Sequence, residues 1–138
     1  MTGTVYAPVE KHLVKWLPSV RPGVRVVTDT PASLTPPLVQ VQHTSGPSYL
    51  GTSRPTVNWT CFHSDRSKAL DLGAGVLAAI ENGLRGVTLP IATIDGTVDL
   101  TVSWMRTITA PVWVPYGNTD VRAVLIVTEL FAHARSRT

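Results

Sequence analysis

Hydrophobic positions recur at spacings of three and four in two stretches of the chain and alternate in several others. The pattern therefore predicts two helices and a set of strands. Val9, Leu13, Trp16 and Leu17 form the first helical stripe, with Glu10, Lys11 and Lys15 largely on other sides. Pro8 suits the first helical position, where its missing N–H has no intrahelical partner to lose. Val5 and Tyr6 are placed to pack back on this helix, and Pro18 is expected to close it. Ala69, Leu72, Val76, Ile80 and Leu84 form the second stripe, widened by Leu70, Leu77 and Ala79. Ser64 is the expected N-cap, and Asp65 adds negative charge at the positive end of the helix dipole. Gly73 and Gly75 each weaken a helix by about 1 kcal/mol relative to Ala. Their presence predicts a neighbour packed close against the helix. Gly83 or Gly86 is expected to end it.

Elsewhere the period is two. Val24, Val26 and Val27 make a short strand between Pro22-Gly23 and Thr30-Pro31. Leu38 to His43 alternates, with Val39 and Val41 on one face and Gln40 and Gln42 on the other. Thr56 to His63 alternates again, with Val57, Trp59 and Cys61 opposite Asn58, Thr60 and Phe62. Trp16, Trp59 and Phe62 fall at core positions. Between these two strands, Thr44 to Pro55 holds Gly46, Pro47, Gly51 and Pro55 and reads as a loop. It spends about a dozen residues where neighbouring strands need only a few, which points to function or mobility. Further strands are expected at Leu100 to Arg106 and Val121 to Phe131, with a hairpin around Asp95-Gly96. Between them, Ala110 to Thr119 is broken by Pro111, Pro115 and Gly117 around Val112, Trp113, Val114 and Tyr116. The last strand is apolar on both faces, Ala123, Leu125 and Val127 on one and Val124, Ile126 and Leu130 on the other. Such a strand lies centrally in a covered sheet or meets another subunit. The second helix is expected to lay Leu72, Val76 and Ile80 on a sheet containing Trp59 and Leu125.

At 138 residues, a single domain with one core is expected, with ends about 1–4 and 134–138 loose. There is no internal repeat or low-complexity tract. Charged residues are 15% of the chain and hydrophobic ones 43%, which excludes a disordered polyelectrolyte. The longest apolar candidate, Val121 to Ala134, is interrupted by Arg122 and Glu129 and falls short of the roughly 20 residues of a membrane span. No basic patch followed by an apolar stretch opens the chain, so no secretory signal and no membrane association are expected. Twelve Lys and Arg against nine Asp and Glu leave a net charge of +3. The basic residues are scattered rather than clustered, as on a solvated surface.

Candidate chemistry is sparse. His12, His43, His63 and His133 lie on separate elements with no pair at metal-ligand spacing. A single cysteine excludes an intrachain disulfide and a Cys-x-x-Cys site, and it fits a reducing compartment. Cys61 and His63 share a strand face, as a thiolate nucleophile and its base would. The simpler expectation is a buried, slow thiol beside a strand-end histidine. Gly73-Ala74-Gly75 lies inside a helix with no Lys-Ser/Thr pair after it, so it is not a phosphate loop. Asp95 and Asp99 flank a turn, and paired-carboxylate catalysis has no support. No catalytic, metal or cofactor-binding residue is expected, and no enzyme. Trp113 and Tyr116 in the proline-broken segment, with Tyr49, Leu50 and Arg54 in the long loop, are the candidate interface residues, because loop aromatics often anchor protein interfaces.

Several stretches, taken with the order of elements, resemble the tail terminator proteins of long-tailed bacteriophages. They are Leu38-Val39-Gln40-Val41, Val57-Asn58-Trp59-Thr60 through Ser64-Asp65-Arg66 into the small-residue helix at Ala69, Pro111-Val112-Trp113-Val114-Pro115-Tyr116, and Asp120-Val121-Arg122 opening the final strand. The similarity spans most of Leu38 to Ala132. It implies an α/β (α+β) single-domain subunit, a mostly antiparallel or mixed sheet packed against two helices. The implied role is a hexameric ring, a homo-oligomer in the virion neck assembled in the host cytoplasm. The ring caps the tail tube protein and ends its polymerisation. It also presents the surface for the head-tail connector or head-closure protein, and DNA passes through it without sequence-specific binding. Two other classes compete. Another neck protein, a head-closure or adaptor subunit, has the same needs for loops and interfaces. A small nucleic-acid-binding module needs a basic stripe with stacking aromatics, for which Arg54 beside Tyr49 is the one hint.

Overall fold

The computed structural model describes residues 9–29, 35–45, 48–49, 52–93, 96–114 and 121–137. Val5, Tyr6, Pro8, Leu50, Ile94, Asp95 and Tyr116 lie outside them. The elements in chain order are α1 (Val9–Val20), β1 (Arg25–Val27), β2 (Leu38–Ser45), β3 (Ser48–Tyr49), β4 (Thr52–Ser53), β5 (Thr56–His63), α2 (Arg66–Gly83), β6 (Val87–Thr93), β7 (Gly96–Val114) and β8 (Arg122–Arg137). They form a single α+β domain, a mixed, curled sheet packed against two helices. Across the sheet the order is β1-β2-β5-β8-β7-β6, with β1 and β2 parallel and every other pair antiparallel. The two-residue strands β3 and β4 pair with each other, and β4 follows β5 along the same edge of β8. They extend the β2–β5 hairpin and add no width.

The described residues between Thr44 and Pro55 therefore extend the hairpin and are not the open loop that the Gly and Pro content suggests. Thr44 and Ser45 belong to β2, Tyr49 pairs with Thr52, and Leu130 N donates to Pro55 O at 2.9 Å. The long strand β8 offers the edge that these residues pair with, and local turn signals cannot reveal a partner so distant in sequence. The same reason corrects the proline-broken segment. β7 runs on through Pro111 to Val114, with register shifts at 102/104, 107/109 and 109/112. A bulge is where a strand accommodates a proline. β8 likewise continues past Phe131 to Arg137, where Arg137 pairs with Thr97.

Both helices lie on one face of the sheet. α1 buries Val9, His12, Leu13, Trp16 and Leu17, and His12 Nε2 sits 3.1 Å from Val98 O on β7. The helix passes through Pro18 rather than stopping there. Near a helix end the proline forfeits one hydrogen bond, and the burial of Trp16 and Leu17 beside it outweighs that loss. α2 is capped by Asp65, not Ser64, and the Asp65 carboxylate accepts from Lys68 N at 2.9 Å. Its Ala69, Leu72, Val76, Ile80 and Leu84 stripe is buried as the spacing predicts, whereas Leu70 is 37% exposed on the outer side.

The stripe meets Val57, Trp59 and Cys61 of β5 and, on β8, Ile126 rather than Leu125. Ile126 is the register partner of Trp59, and Leu125 belongs to the opposite pleat. Trp59 sits at the centre, edge-on to Trp16 with ring centroids 6.4 Å apart. Its Nε1 donates to the buried Thr128 Oγ1 at 3.0 Å. Gln40, on the face opposite Val39 and Val41, is buried as well, and its Nε2 donates to Thr28 O at 3.4 Å. On the helix-free face a second cluster buries Leu38, Phe62, Val121 and Ala123.

The two helix glycines have different neighbours. A Cβ on Gly73 would meet Val124 Cγ1 at 3.0 Å and Pro111 Cβ at 3.4 Å, both held by the sheet. The atoms nearest a Cβ on Gly75 would be those of the Arg21 guanidinium, at 2.5 Å, the movable end of a long side chain. Gly73→Ala is therefore expected to destabilise the fold despite its gain in helix propensity, whereas Gly75→Ala should be neutral or stabilising by up to about 1 kcal/mol. Denaturant titration of the two variants checks the order. Val76→Asp, which places a carboxylate at a fully buried position, is expected to cost several kcal/mol in the same assay. Parent-like stability of that variant would mean the assigned helix face is wrong.

Candidate functional site

The helix-free face of the sheet is set by the pleat of β8. Val124, Ile126, Thr128, Leu130 and Ala132 point to the helices and are buried, so Leu125, Val127, Glu129 and Phe131 point the other way. The shift after Val102 puts Trp104 opposite Phe131 and Arg106 opposite Glu129, and Val112 lies opposite Leu125. Trp104 is 50% exposed and Val112 46%, with Ile108 of the same strand at 50%. The result is an aliphatic and aromatic strip crossing the two longest strands.

Arginines frame this strip. Arg54 lies over the Phe131 ring, 4.5 Å from its centroid, and Arg85 lies over Trp104 at 4.3 Å. Arg85 also donates from Nη2 to Met105 O at 3.3 Å. Glu129 Oε1 accepts from Arg106 Nε at 3.0 Å and is 3.8 Å from Arg54 Nη2. Both arginine side chains are more than half exposed, so solvent screens these pairs and each contributes at most about 1 kcal/mol. Their larger effect is to hold two guanidinium groups beside apolar surface, as the bond to Met105 O does for Arg85. Arginine with aromatic residues is the composition of interface anchors.

Of the expected interface residues, Arg54 belongs to this face. Tyr49 lies on β3 in the adjoining hairpin tip, while Leu50 and Tyr116 lie outside the described residues. Trp113 is on the other side. It is opposite Val124 in register and half-buried, with the Arg66 guanidinium 4.9 Å from its ring centroid. The structure thus does not bring Arg54 and Trp113 together. Sequence reasoning missed Trp104, Arg106, Glu129, Phe131 and Arg85. A signal existed for four of them: Trp104 with Arg106, and Glu129 with Phe131, sit two apart on strands and so share a face. The register that sets the two pairs opposite each other was not readable.

Cys61 has no catalytic geometry. It is fully buried, and burial pushes its thiol from the usual value near 9 up to about 12, with Arg21 pulling slightly the other way. His63 is at the strand end, where its Nδ1 accepts from Ser64 N at 2.8 Å. Among the described residues no group of three or more His, Cys, Asp or Glu could hold a metal ion. Among the described residues no helix is long and apolar enough to cross a membrane.

A thiol whose pKa is raised by folding keeps its proton above pH 9, where the unfolded chain releases it. Its contribution to stability is whole below pH 9 and is lost as the pH rises from 9 towards 12. Cys61→Ala is therefore expected to show a shallower alkaline fall in stability than the parent. Alkylation of the native protein at neutral pH should be slow and should accelerate only on unfolding. Rapid native-state modification would contradict the buried thiol.

Comparison with family models and with curated proteins finds no match to this chain.

Proposed function

We propose that the chain is a structural subunit of a bacteriophage neck, a tail terminator. In this reading it caps the tail tube as a ring, ends tube polymerisation and joins the tail to the head connector. The observation that carries the reading is the helix-free sheet face, an exposed apolar strip framed by Arg54, Arg85 and Arg106. Its chemistry suits recognition of a protein surface. The stretches that resemble tail terminators support it further. Val57 to Thr60 forms the middle of β5, Ser64 to Arg66 the capped start of α2, and Pro111 to Val114 the end of β7. Arg122 opens β8. These are the elements that build the sheet centre and its two faces.

In this reading the β2–β5 hairpin tip reaches the tail tube or an adjacent subunit. Arg54 lies at the root of that tip, and Tyr49 pairs with Thr52 inside it. Replacing Tyr49, Leu50 and Arg54 together with Ser is expected to leave the fold intact, because the screened contacts of Arg54 are worth little. The triple variant should still weaken capping, giving tails of irregular length or heads and tails left unjoined in electron micrographs. Normal tails and full infectivity from a folded triple variant would overturn the assignment of the tip. Parent protein that binds portal-bearing heads but not isolated tubes would favour a head-closure or adaptor subunit instead.

A further inference from the structure

The outer flank of α2 is a second uncovered surface. At 3.6 residues per turn, Leu70, Asp71, Ala74, Ala78 and Glu81 share one face of that helix, and all five are exposed. A helix facing water normally carries polar side chains along its outer side. Here the middle of the flank is Leu70, Ala74 and Ala78, smooth and apolar. The charges at its borders are Asp71 and Glu81, with no Lys or Arg between Lys68 and Arg85. The flank lies on the helix side of the molecule, and the strip of Trp104, Val112 and Phe131 lies on the opposite side.

We infer that copies of this chain associate head to tail, the helix-free sheet face of one seating the outer flank of α2 of the next. The inference rests on the ring-forming reading above and specifies which surfaces join. Charge selects the pairing. On the sheet face Arg54, Arg85 and Arg106 outnumber the one carboxylate among them, Glu129, while Asp99 and Arg135 face each other in register and offset. Around the strip the excess is two positive charges, and Arg25 on the outer strand β1 adds a third on the same face, against two negative charges on the flank. Sheet against sheet would oppose arginine to arginine, and flank against flank would oppose Asp71 and Glu81 to themselves. Like charges across an interface suppress the wrong partner. Only the mixed contact matches apolar surface to apolar surface and sign to opposite sign. Each such contact leaves one flank and one sheet face free, so it propagates and closes into a ring where the rotation permits.

Two double variants at exposed positions test this. Trp104→Glu with Val112→Glu disables the sheet face, and Ala74→Arg with Ala78→Arg disables the flank. Circular dichroism monitors their folding. By light scattering the parent is expected to form oligomers and each double variant to be monomeric. An equimolar mixture should give a one-to-one heterodimer and nothing larger, since it holds one competent surface of each kind. A parent that stays monomeric, a double variant that still self-associates, or a mixture that stays monomeric overturns the proposal. Should either apolar substitution unfold the chain, a charge exchange serves in its place. Arg54→Glu with Arg106→Glu, and Asp71→Lys with Glu81→Lys, should each weaken association at least tenfold. Combining all four in one chain should restore it, and failure to restore it counts against the interface. Tail length is read separately. Head-to-tail association without control of tail length would leave this interface standing and remove the neck function, and capping through unaltered tails with either double variant would do the reverse.

Discussion

Both helices of this subunit cover the same face of its six-stranded sheet and leave the other without a helix, and what is distinctive about the subunit follows from which face that is. Trp59 settles it. Its indole is too large to be buried except between layers, and it fills the space between β5 and α1, edge-on to Trp16. Its N–H cannot be left unpaired there without a cost of about 1–3 kcal/mol, and Thr128 on β8 accepts it. One side chain thereby ties the helix layer to the central strands and sets the side on which β8 turns Val124, Ile126 and Leu130. The alternate residues of β8 are left outside by the pleat alone.

The second constraint is the mismatch in strand length. β6 pairs with β7 only as far as Val102, so the rest of β7, to Val114, has no strand on its outer side among the described residues. α2 runs antiparallel along that stretch. Gly86 N donates to Val102 O, Thr107 Oγ1 to Glu81 Oε2, Gly73 abuts Pro111, and Arg66 reaches Trp113. An unpaired strand edge invites association with other chains. Here it is blunted by bulges, by a proline and by the helix beside it. The closeness of this contact explains the glycine at 73, where even a methyl group would crowd Val124.

The same bulges shape the helix-free face. Each extra residue in β7 shifts its side chains relative to β8, and the shift after Val102 is what brings Trp104 against Phe131 and Arg106 against Glu129. The arginines then do two things at once. They cover part of the exposed rings, which limits indiscriminate hydrophobic contact, and they keep positive charge at fixed positions beside apolar surface. A face built in this way discriminates among partners by charge while drawing its affinity from the apolar strip.

The hydrophobic period alone determined the two helices, the buried stripe of α2, the pairing faces of Val57, Trp59 and Cys61, and the buried setting of the lone thiol. These are local properties, since a side chain's face on a helix or strand depends on its own element. The double apolar character of β8 was legible too, and with it the expectation of a strand that is central or meets another subunit. What only the tertiary structure decided was everything that depends on a distant partner. Thr44 to Pro55 became hairpin because β8 extends far enough to pair with it. Ala110 to Val114 became strand because a bulge accommodates Pro111. Leu125 faces away from the helices because register with Trp59 selects Ile126. Register is a relation between segments, and a single chain's local pattern carries each segment's faces but not the offset between them. The sequence offered Arg54 and Trp113 as candidates in two separate segments, and the fold sets them on opposite sides and assembles Arg54 with Trp104, Arg106, Glu129 and Phe131.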